Sequence, residues 1–126
     1  MIALRHLLRE LMRAEAQRDP HAWAATAAGH AWIGMGIWGG LAVILDRWTA
    51  VYLAPLAYLL LIEGVQLAIA PQVKRSLVWD SLLDTTAFTF GCIAAAHLGG
   101  GDLEMAMVAW MASLVPIAAG WLRRQP

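Results

Sequence analysis

Four apolar segments, each close to the ~20 residues that carry a helix across a ~30 Å hydrocarbon core, leave this chain few folds to choose from. They cover residues 22–45, 48–70, 77–98 and 103–122. Inside a bilayer every backbone N–H and C=O must be satisfied within the protein, and a helix does this within its own segment. The links are short (residues 46–47, 71–76 and 99–102), so consecutive helices should pair as antiparallel hairpins. Composition points the same way. The chain is 60% hydrophobic and 14% charged, too little polar surface to clothe a soluble domain of 126 residues. The expected fold class is all-α: a polytopic membrane protein with four transmembrane helices in antiparallel hairpins, preceded by an amphipathic interfacial helix.

That leading helix is expected over residues 1–19, with residues 20–126 forming the transmembrane domain. At helical spacing Leu4, Leu7, Leu8, Leu11 and Met12 share one face, while Arg5, Arg9 and Arg13 share the other. Such a helix suits the membrane interface, arginines toward anionic headgroups, or a face of another subunit. Charges interrupt the segment throughout, so it is no secretory signal. Arginines at this end, Lys74 and Arg75 in the second link, and Arg123 and Arg124 at the C-terminus outweigh Arg47 on the other side. The positive-inside rule then predicts a multi-pass inner (plasma) membrane protein with both termini cytoplasmic. Trp23, Trp79 and Trp121 would form the cytoplasmic aromatic belt, with Trp48 and Tyr52 opposite.

Formal net charge is zero and no basic patch is interleaved with aromatics, so nucleic acid is not an expected partner; membrane lipid is. The single cysteine, Cys92, lies in an apolar stretch and reads as a buried inert thiol. The first span is glycine-rich. Gly36 and Gly40 have the small-xxx-small spacing that lets helix backbones approach, for packing within the monomer or for a homo-oligomer contact.

Against this background Glu63, Gln66, Asp80 and Asp84 stand out, because polar and charged groups in a bilayer-spanning helix normally face a protein interior or wet cavity. Counting ~1.5 Å per residue from the cytoplasmic ends puts His30 about 12 Å deep, and Glu63 and Asp84 about 10 Å deep. Gln66 and Asp80 lie about one turn shallower on the same faces. Arg75 can reach down from its loop. His30, Glu63, Gln66, Arg75, Asp80 and Asp84 are therefore the expected polar intramembrane site. Two readings are open: a buried polar network that keeps the hairpins in register, or a functional site that binds an ion or relays protons. No motif implies a cofactor; a divalent cation is the candidate, with Glu63, Asp80, Asp84 and His30 as ligands. His97, near Asp102 and Glu104, reads as interfacial.

The run Glu63-Gly-Val-Gln66, then Pro71, Arg75, Asp80-Ser-Leu-Leu-Asp84-Thr85 and Gly91, resembles the VanZ-like family of small membrane proteins. That family carries a helix-borne Glu-x-x-Gln, a short loop with Pro and Arg, then Asp-x-x-x-Asn-Thr and a later glycine. His30 matches its first-helix histidine, while Asp84 stands where the family has asparagine. The resemblance covers residues 29–92 and implies a cell-envelope role, with the polar site facing a lipid headgroup or an ion. A pore-former of the phage holin type is the alternative, compatible with small size, several spans and a short basic tail. A small proton-coupled transporter subunit is a third, although its design asks for an acidic residue within the first span. No nucleophile motif or phosphate loop is present, so a soluble enzyme is not expected.

Overall fold

The computed structural model describes residues 19–70 and 72–125, and these are entirely helical and connecting segments. Apart from its last residue, Asp19, the amphipathic helix expected over residues 1–19 lies outside them. Helix α1 spans Pro20–Leu41. Asp19 caps it by accepting the His21 amide at 2.9 Å, and Pro20 at the first position loses no bond because that N–H would be an orphan anyway. The first apolar segment was expected to continue to residue 45, yet α1 ends at Leu41. Asp46 is the reason: it caps the next helix, accepting the Trp48 and Thr49 amides at 3.2 and 3.0 Å, and its own backbone is extended. Hydrogen bonds from the Thr49 hydroxyl first, then from the Thr49 and Trp48 amides, hold the Asp46 carboxyl below its ordinary value.

Helix α2 runs Arg47–Ile69 and is not uniform. It starts as an α-helix, opens into a π-helical turn over Leu59–Glu63, and closes again over Gly64–Ile69. The Gly64 amide bonds the Leu59 carbonyl five residues back, which widens the turn there. Helix α3 spans Arg75–Gly99. Its exit is a glycine turn in which Gly101 has φ of 77°, a left-handed conformation that costs a residue with a Cβ. Helix α4 spans Leu103–Leu122, capped by Asp102 on the Met105 amide at 3.1 Å. It breaks at Ser113 between Leu103–Ala112 and Leu114–Leu122. Pro116 accounts for this, since it has no N–H for the Ala112 carbonyl four residues earlier.

Three of the helices, α2, α3 and α4, are long and apolar enough to cross a membrane. Helix α1 matches them in length, at 22 residues, but its histidines, tryptophans and glycines lower its hydropathy. Helix α3 is central and packs against the other three. The packing is inverted relative to a soluble bundle. Alanines fill the interior, with Ala27, Ala31, Ala50, Ala54, Ala87 and Ala96 among the most buried residues. Bulky groups point outward: Val43 is 83% exposed, Tyr52 74% and Val115 68%. Small residues inside and large apolar ones outside are what helix association in lipid favours, because lipid already solvates the large ones.

The closest helix approach lies between α1 and α3, and other glycines make it. A Cβ on Gly34 would stand 2.3 Å from the Phe88 carbonyl oxygen, and one on Gly91 2.0 Å from that of Ala31. Cys92 donates its thiol to the Gly34 carbonyl at 3.3 Å from the same crossing and is fully buried, as expected. Gly36 and Gly40 correct the expectation of packing within the monomer. Nothing among the described residues lies within 4 Å of a Cβ at either, because at about 100° per residue they point about 160° and 120° round the helix from the α3-facing Gly34.

Candidate functional site

At mid-length the three helices α1, α2 and α3 bring His30, Glu63 and Asp84 together, with one ligand atom from each lying within 4.8 Å of the others. Each arrives for a local reason. His30 follows Trp23 by seven residues, two turns on, on the stripe that includes Ala27 and Ala31. Asp84 falls on the buried face of α3 with Asp80, Ser81, Ala87 and Phe88. Glu63 closes the π turn of α2 and is 3% exposed.

The Glu63 carboxylate accepts the Tyr58 hydroxyl. In a regular α-helix residues five apart point about 140° away from each other, so this pair would not meet. The wide turn closes i to i+5 and puts both on one face. Tyr58 in turn stacks on Phe88, centroids 4.4 Å apart, and its ring sits 5.6 Å from that of His30. With Ala54, Phe88 and Cys92 it forms the apolar wall of the site. Sequence reasoning missed Tyr58. Its spacing from Glu63 belongs to no α-helical face, and the signal for a wide turn is weak.

His30 Nδ1 and Asp84 Oδ1 stand 3.1 Å apart, close enough for an ion pair. Neither atom has a hydrogen bond of acceptable geometry among the described residues, and both are buried. At this distance either a proton on the imidazole or a shared cation can join the two atoms. Leaving such groups unmatched costs about 1–3 kcal/mol each, which a shared cation would offset. Carboxylates gathered in a low-dielectric interior also call for a compensating positive charge, which a bound cation or the imidazole itself can supply.

The other expected members are placed differently. Asp80 belongs to a separate layer one turn toward the end where α1 begins and α4 ends. Its Oδ2 accepts Arg124 Nη2 at 2.6 Å, and its Oδ1 is 3.5 Å from Arg123 Nη1. Arg75, expected to reach a carboxylate, is exposed at the start of α3 and pairs with none among the described residues; the C-terminal arginines take that role. Gln66 is half-buried one turn beyond Glu63. Trp23, expected in an exposed aromatic belt, is 2% exposed and part of the Asp80 layer instead. At the opposite end His97 Nδ1 lies 3.3 Å from Asp102 Oδ2, with the Trp48 ring against it.

Compared with protein-family models, curated proteins and solved structures, the chain matches none.

Proposed function

We propose that this is a four-span inner-membrane protein whose His30–Glu63–Asp84 cluster binds a divalent metal ion. The observation that carries the reading is the convergence of one imidazole and two carboxylates from three helices, with buried His30 and Asp84 atoms left without hydrogen bonds. A 2+ ion cancels the two carboxylate charges, and a mixed nitrogen and oxygen set suits Mn2+, Fe2+ or Zn2+ better than Mg2+ or Ca2+. Tyr58 would orient Glu63 from outside the ligand set, as hydrogen-bonding partners of metal ligands commonly do.

In this reading α1 is the fourth span, since it packs along α3 over its length and contributes a ligand. Both termini then lie on one side, and the excess of Lys and Arg there makes that side the cytoplasm. Three protein ligands leave positions open on the ion for water or for an oxygen of an incoming ligand. A cell-envelope role of VanZ-like type is the expectation that follows from the resemblance around Glu63 and Asp84.

The test is metal binding by the purified protein in lipid nanodiscs, with Mn2+ followed by electron paramagnetic resonance and Zn2+ by competition. One ion per chain is expected, lost in Glu63→Gln and Asp84→Asn while both variants still insert and remain helical. Unchanged Mn2+ binding in both would reduce the cluster to a helix-registering network.

A further inference from the structure

We infer that Asp80 is an outer cation-binding position on the route to the His30–Glu63–Asp84 cluster, kept closed by the Arg124 guanidinium; the inference rests on the cation reading above. Two guanidinium groups converge on one carboxylate here. Arg124 Nη2 donates to Oδ2 at 2.6 Å, while Arg123 Nη1 stands 3.5 Å from Oδ1, which itself has no hydrogen bond of acceptable geometry. Asp80 is 6% exposed, so this carboxylate is a buried negative charge whose partners are cations carried in on the chain's own tail.

The layer is built to hold Arg124 there. Its Nη1 donates to the Gly120 carbonyl at 2.8 Å, and its guanidinium lies 4.2 Å over the Trp23 ring. The Trp23 indole N–H donates in turn to the Ile117 carbonyl at 3.3 Å. Gly120 is required for this fit, since a Cβ there would come within 2.0 Å of Trp23 Nε1.

Position makes the layer an entrance. Asp80 and Asp84 share a face of α3, about 6 Å apart along the axis, and Trp23 and His30 share a face of α1, about 10 Å apart. The Trp23–Asp80–Arg124 layer therefore lies between the helix ends and the cluster, along the same two helices that supply two of its ligands. An incoming cation meets the Asp80 carboxylate first and must displace a guanidinium to occupy it. Arg124 then excludes weakly competing monovalent ions while a divalent ion, with twice the charge, competes for the carboxylate.

Ser81, 5% exposed and between Asp80 and Asp84, provides the reporter. In a Cys92→Ser background, the thiol introduced by Ser81→Cys is modified in nanodiscs by cationic and anionic methanethiosulfonates of matched size. Arg124→Gln should raise the cationic rate at least about tenfold, the enhancement a focusing cleft gives, and the anionic rate much less. Arg124→Lys should keep both rates low, and Asp80→Asn added to Arg124→Gln should erase the cationic preference. Equal acceleration of both reagents would mean that the helix end merely frays, and no acceleration would mean that the route lies elsewhere; either overturns the proposal. Cationic gating in a protein that binds no Mn2+ would sink the metal assignment alone and leave the entrance standing.

Discussion

Tyr58 shows how one hydroxyl can govern a site that it does not join. Its bond fixes the rotamer of Glu63, and its ring is wedged between Phe88 and His30. Tyr58→Phe keeps the ring and its packing but frees the carboxylate to rotate. Metal affinity is then expected to fall about tenfold to a hundredfold, as when other outer partners of a ligand are removed. The loss should appear in Mn2+ titrations with little change in thermal stability. An unchanged Mn2+ affinity would place Glu63 outside the ligand set. His30, Glu63 and Asp84 were legible in the sequence because depth alone, counted along straight helices, brings them level. Tyr58 was not, because counting along a straight helix puts it on the wrong face.

At the scale of the helix the glycines invert their apparent importance. The Gly36 and Gly40 pair has the recognisable spacing but faces outward, whereas the scattered Gly34 and Gly91 stand under neighbouring carbonyls. Gly91→Ala must push α1 from α3 and is expected to destabilise by about 1–3 kcal/mol, the usual cost of overpacking. Gly36→Ala and Gly40→Ala should each stay within about 0.5 kcal/mol for the monomer. Thermal unfolding in a mild detergent ranks the three, and equal losses would refute the observed crossing. A defect in Gly36→Ala confined to chemical crosslinking between copies would instead assign that stripe to a homo-oligomer. Spacing on one helix cannot reveal this difference, since the contact depends on where the partner backbone passes.

Over the whole molecule the parity of the spans sets the topology. Three spans would put the termini on opposite sides, and four put them on the same side, so α1 decides the topology. Its 22 residues reach about 33 Å, enough for the hydrocarbon core. Its polar content is tolerable because His30 turns inward toward Asp84 rather than to lipid. Green fluorescent protein fused separately to each terminus should fluoresce in both cases, and alkaline phosphatase fused in the 42–46 turn should be active. A dark N-terminal fusion with a bright C-terminal one would remove α1 from the membrane.

The four described helices and the approximate level of each ionisable group along them were determined by the sequence itself, because each apolar run closes its own backbone hydrogen bonds as a nearly independent helix. The Asp19, Asp46 and Asp102 caps are equally local, each carboxylate reaching amides two or three residues on. Tertiary structure decided the rest. It drew His30, Glu63 and Asp84 of the six predicted residues into one cluster at mid-length and locked Asp80 with arginines one turn away, since a pairing such as Asp80 with Arg124 joins residues 44 positions apart. It chose which glycines matter and drew Trp23 from the belt into the interior. These outcomes depend on rotation about helix axes, which the packing of three neighbours sets and no single helix encodes.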